Sequence, residues 1–198
     1  MKLRTVVCAT LLLVAGCAGK DDNNSTQGTP AQRALVFATS TAIGAAQLAG
    51  AESTIAAQAL GTQSISSFCD TGTATSSTIG AVTTLTFTAC FHTSPGGTVT
   101  LNGTVTRTAG TSEDTIAIAA GSTVAIASDC FSGTLTVQTT EPLVVAHGAA
   151  CPKSGVIASS GDFVGTGTFG AGGSVDIHDA INNTDTHFDN CLDADSCS

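Results

Sequence analysis

From Ser64 onward the chain repeats one pattern, threonine alternating with an aliphatic or aromatic residue. It is seen in Thr84-Leu85-Thr86-Phe87-Thr88, Thr98-Val99-Thr100-Leu101, Thr104-Val105-Thr106 and Thr134-Leu135-Thr136-Val137. A period of two places the apolar side chains on one face of an extended strand and the threonines on the other. Thr115-Ile116-Ala117-Ile118 and Thr123-Val124-Ala125-Ile126 carry the same signal on either side of Ala120-Gly121. Together these segments predict a run of short antiparallel strands with one buried face. With no Trp and no Tyr, the core must come from Val, Ile, Leu, Ala and eight Phe. Asn102-Gly103 falls inside a strand-like run, where a bulge or bend fits as well as a hairpin turn.

Ahead of the strands, Pro30 opens an alanine-rich stretch that runs to about Leu60 without a further proline, with Gly61 just beyond it. Proline at the start and glycine at the stop are helix punctuation. Gly44 and Gly50 interrupt the stretch, so it reads as one helix or two. Val36, Ile43, Ala46 and Leu48 crowd one side, which suits a helix lying on a sheet. The expected fold is α+β. An N-terminal alanine-rich helix packs on a curved antiparallel β-sheet or incomplete barrel with disulfide-linked hairpins, in one domain spanning 31–198.

Of the eight cysteines, Cys69, Cys90, Cys130, Cys151, Cys191 and Cys197 lie within this domain. An even set in an exported chain predicts disulfides, with fifteen pairings open to six cysteines. Cys69 and Cys90 are equidistant from the turn signal Ile79-Gly80. Cys130 and Cys151 are equidistant from Thr140-Glu141, just before Pro142. The spacing therefore predicts Cys69–Cys90 and Cys130–Cys151 across two hairpins, with Cys191–Cys197 closing a small loop at the tail. Zinc sites and catalytic dithiols favour a Cys-x-x-Cys spacing that this chain lacks.

Lys2 and Arg4 precede a short apolar stretch, Thr5 to Val14, too short to span a bilayer. Charged, apolar and small-residue segments in that order make a secretory leader. Its end, Val14-Ala15-Gly16-Cys17, resembles the lipobox of bacterial lipoproteins. The resemblance implies a signal peptide at 1–16, cleavage before Cys17, a diacylglyceryl thioether on the Cys17 sulfur and an acylated new N-terminus. The membrane would then be a partner through Cys17. Residues 17–30 are the lipidated cysteine and a small, polar, flexible tether. Ala18 is not the aspartate that marks inner-membrane retention in enterobacterial lipoproteins, which implies an outer-membrane address. The pattern Cys69-x-x-Gly72-Thr73, Thr86-Phe87-x-x-Cys90 and Leu101-Asn102-Gly103-Thr104-Val105-Thr106 is also similar to uncharacterised bacterial lipoproteins built as a helix followed by a β-rich body. That likeness covers residues 31 to 140 and implies no activity.

The chain has six basic and fifteen acidic residues, net −9; loss of Lys2 and Arg4 with the leader would take −9 to −11. After Lys153 come seven aspartates and no basic residue. Such a field repels phosphate backbones, so nucleic acid is not expected as a partner. The sharpest candidate for chemistry is a hairpin in this acidic tail. Val175-Asp176-Ile177-His178 and Asp185-Thr186-His187-Phe188-Asp189 flank the turn-like Ile181-Asn182-Asn183-Thr184. Folding between Ile181 and Asn182 sets His178 opposite Asp185 and Asp176 opposite His187. Asp176, His178, Asp185, His187 and Asp189 would then share one patch. It reads either as a solvated face of Asp–His pairs or as a site for a divalent cation.

Gly165-Thr166-Gly167-Thr168-Phe169-Gly170 spells G-x-G-x-x-G, but a strand signal follows it instead of a helix, so it reads as a glycine-rich strand or loop. There is no G-x-S-x-G, no H-E-x-x-H and no phosphate-binding lysine loop. His92 and His147 stand in strand or turn contexts, and Arg107 is the only arginine of the β region. No enzyme and no cofactor is expected. The reading is an envelope or cell-surface lipoprotein with a structural or partner-binding role. The alternatives are a carrier of a lipid or apolar ligand in a half-barrel groove and a divalent-metal module at the C-terminal hairpin.

Overall fold

The computed structural model describes residues 28–55, 63–64, 68–94 and 97–195. The leader, Cys17, most of the tether and Cys197 lie outside the described residues. The chain forms helix α1 (Pro30–Ile55) and then strands β1 (Gln63–Ser64), β2 (Thr71–Ile79), β3 (Val82–Ser94), β4 (Gly97–Ala109), β5 (Glu113–Ile118) and β6 (Ser122–Ala127). β7 (Ser132–Ala146), β8 (Ser154–Gly161), β9 (Gly165–Phe169), a 3₁₀ turn at Ala171–Gly173, β10 (Val175–Asp179), β11 (Thr184–Phe188) and helix α2 (Cys191–Asp195) complete it. All strands join one antiparallel sheet in the order β1-β2-β3-β4-β5-β7-β8-β9-β10-β11, with β6 also lying between β4 and β7. The sheet is curved and closes only part of a ring around α1.

α1 begins with a capping box. Thr29 Oγ1 accepts from the Gln32 amide (3.3 Å), and Gln32 Oε1 accepts from the Thr29 amide (2.7 Å), with Pro30 at the first helical position. The glycines do not break the helix. From Ala31 to Gly50 only Gly44 is exposed, so α1 is enclosed on nearly every side instead of resting on one stripe. The polar residues it buries, Gln32, Arg33 and Thr39, all make hydrogen bonds. Its alanines (Ala34, Ala38, Ala42, Ala46 and Ala49 among them) keep it narrow enough for the sheet to wrap. Gly50 has a specific reason: a Cβ there would sit 2.3 Å from Arg107 Nη1 of β4.

The alternation behaves as the sequence predicts. Leu85, Val99, Val105, Ile116, Leu135, Val137, Ile157 and Ile177 are buried in the core, while the intervening threonines stay half-buried or exposed. Ile79 pairs with Val82 across Gly80-Ala81, the expected hairpin. β5 and β6 do not pair with each other. Both run antiparallel to β4, at Val105↔Ile118 and Leu101↔Val124, and both pair with β7. They are one interrupted strand, and Ala119 to Gly121 form a jog within it.

That jog belongs to a line of irregularities that bends the sheet. In β3, Thr88 and Ala89 oppose the single residue Asn102 of β4, and Ala89 takes φ 46°. The Ala89 amide donates to Asn102 Oδ1 at 2.8 Å. Next to it Gly103 has φ 126°, and a Cβ would lie 2.3 Å from Ser122 Oγ. Asn102-Gly103 is therefore a bend within a strand. Bulges and glycine kinks aligned across neighbouring strands are the usual source of curvature. The G-x-G-x-x-G segment is strand β9 followed by Gly170, the residue before the 3₁₀ turn, and a strand comes next as its sequence signal required.

Cys69–Cys90 forms as predicted, with Cα atoms 5.2 Å apart. The other two predicted pairings do not hold: Cys151 bonds Cys191, Cα–Cα 5.8 Å. The error lies at Thr140-Glu141-Pro142, which is not a turn. β7 runs straight through it, absorbing the proline in register shifts between Thr139 and Val144 against β8. Cys130 and Cys151 consequently flank opposite ends of a 15-residue strand, about 45 Å long at 3.3 Å per residue. Cys191 is taken by Cys151 and so is not free for Cys197. Cys130 is itself disulfide-bonded. Loop-closure entropy gives about 3 kcal/mol for the separation of 21 and about 4 kcal/mol for that of 40.

Candidate functional site

The C-terminal hairpin has the register its sequence predicts: Asp176↔His187 and His178↔Asp185 are direct cross-strand neighbours on the outer face. The turn is fixed by Asp179, a buried carboxylate. Its Oδ1 accepts from the amides of Ile181 (2.9 Å) and Asn182 (3.0 Å), and its Oδ2 accepts from Asn182 Nδ2 (2.8 Å). Those donors, Asn182 first among them, hold the Asp179 carboxyl below its ordinary range.

His178 Nδ1 donates to Asp185 Oδ1 at 2.9 Å, and His187 Nδ1 donates to Asp176 Oδ1 at 2.6 Å. A carboxylate only accepts, so each of these nitrogens carries the proton. His187 Nε2 also lies 3.3 Å from Asp189 Oδ1. With a carboxylate at each ring nitrogen, His187 is favoured as the imidazolium. The hydrogen bond to Asp176 is the main cause raising its pKa. All five side chains are at least 42% exposed, so these pairs are solvated.

Asp176, His178, Asp185, His187 and Asp189 are thus gathered on one patch as cross-strand carboxylate–imidazole pairs. Among the described residues, no group of three or more His, Cys, Asp or Glu side chains is arranged to hold a metal ion. His187 directs both nitrogens at carboxylates, so a cation would have to displace a proton there. Among the described residues, His178 is paired through Nδ1.

A second polar cluster lies at the inner surface, where the C-terminal half of α1 meets β4 and β5. Asp114, 5% exposed, accepts from Arg107 Nε (2.8 Å) and Nη2 (3.0 Å), and His147 Nε2 lies 3.2 Å from its Oδ1. Glu113 pairs with Lys153 beside it, and Gln47 Nε2 of α1 donates to the Ala149 carbonyl at 3.0 Å. The sequence carried a signal for this cluster that was missed. Asp114 shares the buried parity of Ile116 and Ile118, and Arg107 that of Val105. Two charges of opposite sign at inward positions of neighbouring strands imply a buried pair. His92 plays a core role, stacked on Phe68 with ring centroids 4.8 Å apart.

Between α1 and the sheet is a cavity of about 20 Å³, room for about one water molecule. Ala38 and Ala42 of the helix and Phe87, Leu101, Ile118 and Val137 of the sheet are among its walls. Among the described residues no helix is long and apolar enough to cross a membrane. No protein-family model, curated protein or solved structure matches the chain.

Proposed function

We propose that this chain is a lipid-anchored envelope protein with a non-enzymatic, structural or partner-binding role, held at the outer membrane through Cys17. The observation that carries the reading is the filling of the concave sheet by the chain's own helix. α1 occupies the place where a half-barrel would otherwise receive a ligand, which leaves the outer surface for recognition. The disulfides support an oxidising compartment outside the cytoplasm. The leader and the small residue before Cys17 supply the route there. Three acyl chains would anchor the protein without help from the polypeptide surface. Expression of the full chain in a diderm bacterium, followed by fractionation and mass analysis of the N-terminal peptide, tests this. The expected product starts at lipidated Cys17 in the membrane fraction, and Cys17→Ser abolishes it. A soluble wild-type product with an unmodified Cys17 would overturn the anchor.

A second reading is favoured by the apolar walls of the small cavity. If α1 swings outward, the inward side chains of β3 to β7 become a groove suited to a lipid or other apolar ligand. Co-purification of such a molecule with the full chain supports the carrier, and an empty protein supports the scaffold.

A further inference from the structure

Among the described residues β11 ends the sheet, and one of its edges has no neighbouring strand. Thr184, Asp185 and His187 are exposed on it. The strand carries no Pro and no Lys, and its pairing with β10 is free of bulges. No Pro, Lys or bulge blocks a further strand, while the exposed Asp185 and His187 restrict the edge to a partner strand that sets unlike groups against them. We propose that β11 pairs antiparallel with β11 of a second copy of this chain, about a two-fold axis through Thr186.

The register follows from the side chains. For the two sheets to run on continuously, outward residues of one strand must face outward residues of the other. Asp185 and His187 point outward, whereas Phe188 is buried within. Three antiparallel registers keep this parity over the strand's centre. One sets Asp185 against Asp185, one sets His187 against His187, and the third, centred on Thr186, sets each Asp185 against the His187 of the other copy. Only the third opposes unlike groups, and it also pairs the most residues.

It extends a pattern already present inside each chain. Asp176 faces His187 and His178 faces Asp185 across β10 and β11. Across the dyad the rows become Asp176–His187–Asp185–His178, read in opposite directions on the two copies. Carboxylate and imidazole alternate through four strands. No Lys or Arg follows Lys153, so these histidines are the only side chains of the segment able to oppose its aspartates. A five-residue edge contact buries less than a standard interface, which makes the association reversible. The operation is isologous, so it stops at two copies.

Sedimentation equilibrium of the mature full chain, from micromolar to millimolar protein, tests the proposal. A concentration-dependent dimer is expected. Asp185→Lys should weaken it about tenfold or more, because the symmetric contact loses both Asp–His pairs and gains two repulsive ones. Glu141→Lys makes the same charge change on β7 and should leave it unaltered. Because Thr186 faces itself across the dyad, Thr186→Cys should form an interchain disulfide faster than Glu141→Cys. A monomer at every concentration, equal weakening by the two lysine variants, or no preferential crosslinking at residue 186 would overturn the proposal.

Discussion

Replacing Arg107 by Met removes a bidentate partner from a carboxylate that has almost no access to water. Asp114 is 5% exposed and Arg107 15%, and the two share hydrogen bonds of 2.8 and 3.0 Å. Breaking such a pair from one side leaves a buried charge uncompensated, at a cost of about 3–5 kcal/mol. His147 stays 3.2 Å from Asp114 Oδ1 and is itself half exposed, so the lower end applies, about 3 kcal/mol. For a domain of this size that corresponds to a fall in Tm of about 6–12 °C. Adding Asp114→Leu removes the orphaned charge, and the double variant should lie within about 1 kcal/mol of wild type or above it. Urea unfolding with the disulfides intact measures both, read from the midpoint at constant m. A single variant within about 1 kcal/mol of wild type, or a double variant no milder than the single, would refute the reasoning.

Gly103→Ala should destabilise the domain by about 3 kcal/mol, since φ 126° excludes an L side chain and Ser122 Oγ occupies the space; thermal unfolding checks it. Asn102→Ala should cost about 1 kcal/mol by uncapping the Ala89 amide, an effect visible in the same assay. Asp179→Asn should weaken the hairpin in a pH-dependent way. The folded carboxyl is held below its ordinary value, so its stabilisation is present above about pH 4 and is lost as the pH falls through the folded value. The difference in stability between wild type and variant should therefore shrink on acidification below about pH 4, and a difference constant in pH would contradict this. Non-reducing peptide mapping should join Cys130 to Cys197, the partner left once Cys69–Cys90 and Cys151–Cys191 are formed.

The fold was legible where a local rule was also the global one. Alternation at Leu85, Val105 and Leu135 set the buried face, and the turn signal at Ile181-Asn182 with the Asp–His spacing set the register of β10 and β11, because a one-residue slip would put every side chain on the wrong face. Pairing of the cysteines was not legible, since it depends on distance in space. Pro142 read as a turn, yet β7 accommodates it by shifting register against β8. The enclosure of α1 was concealed by its own composition: alanines signal a one-sided helix and a fully wrapped one equally well, and only the curvature at Ala89 and Gly103 distinguishes them. The Arg107–Asp114 clasp was readable from parity, but each residue in isolation resembles an ordinary solvated charge.

The central claim is that this is an anchored, stapled scaffold whose groove is filled by its own helix. Intact mass spectrometry of the full chain, extracted from membranes and held in its native state, tests it most directly. The account predicts a species beginning at Cys17, carrying the lipid modification, lacking the six hydrogens of the domain's six cysteine thiols and retaining no other molecule. A chain with an intact leader, free thiols or a stoichiometric apolar ligand would contradict it.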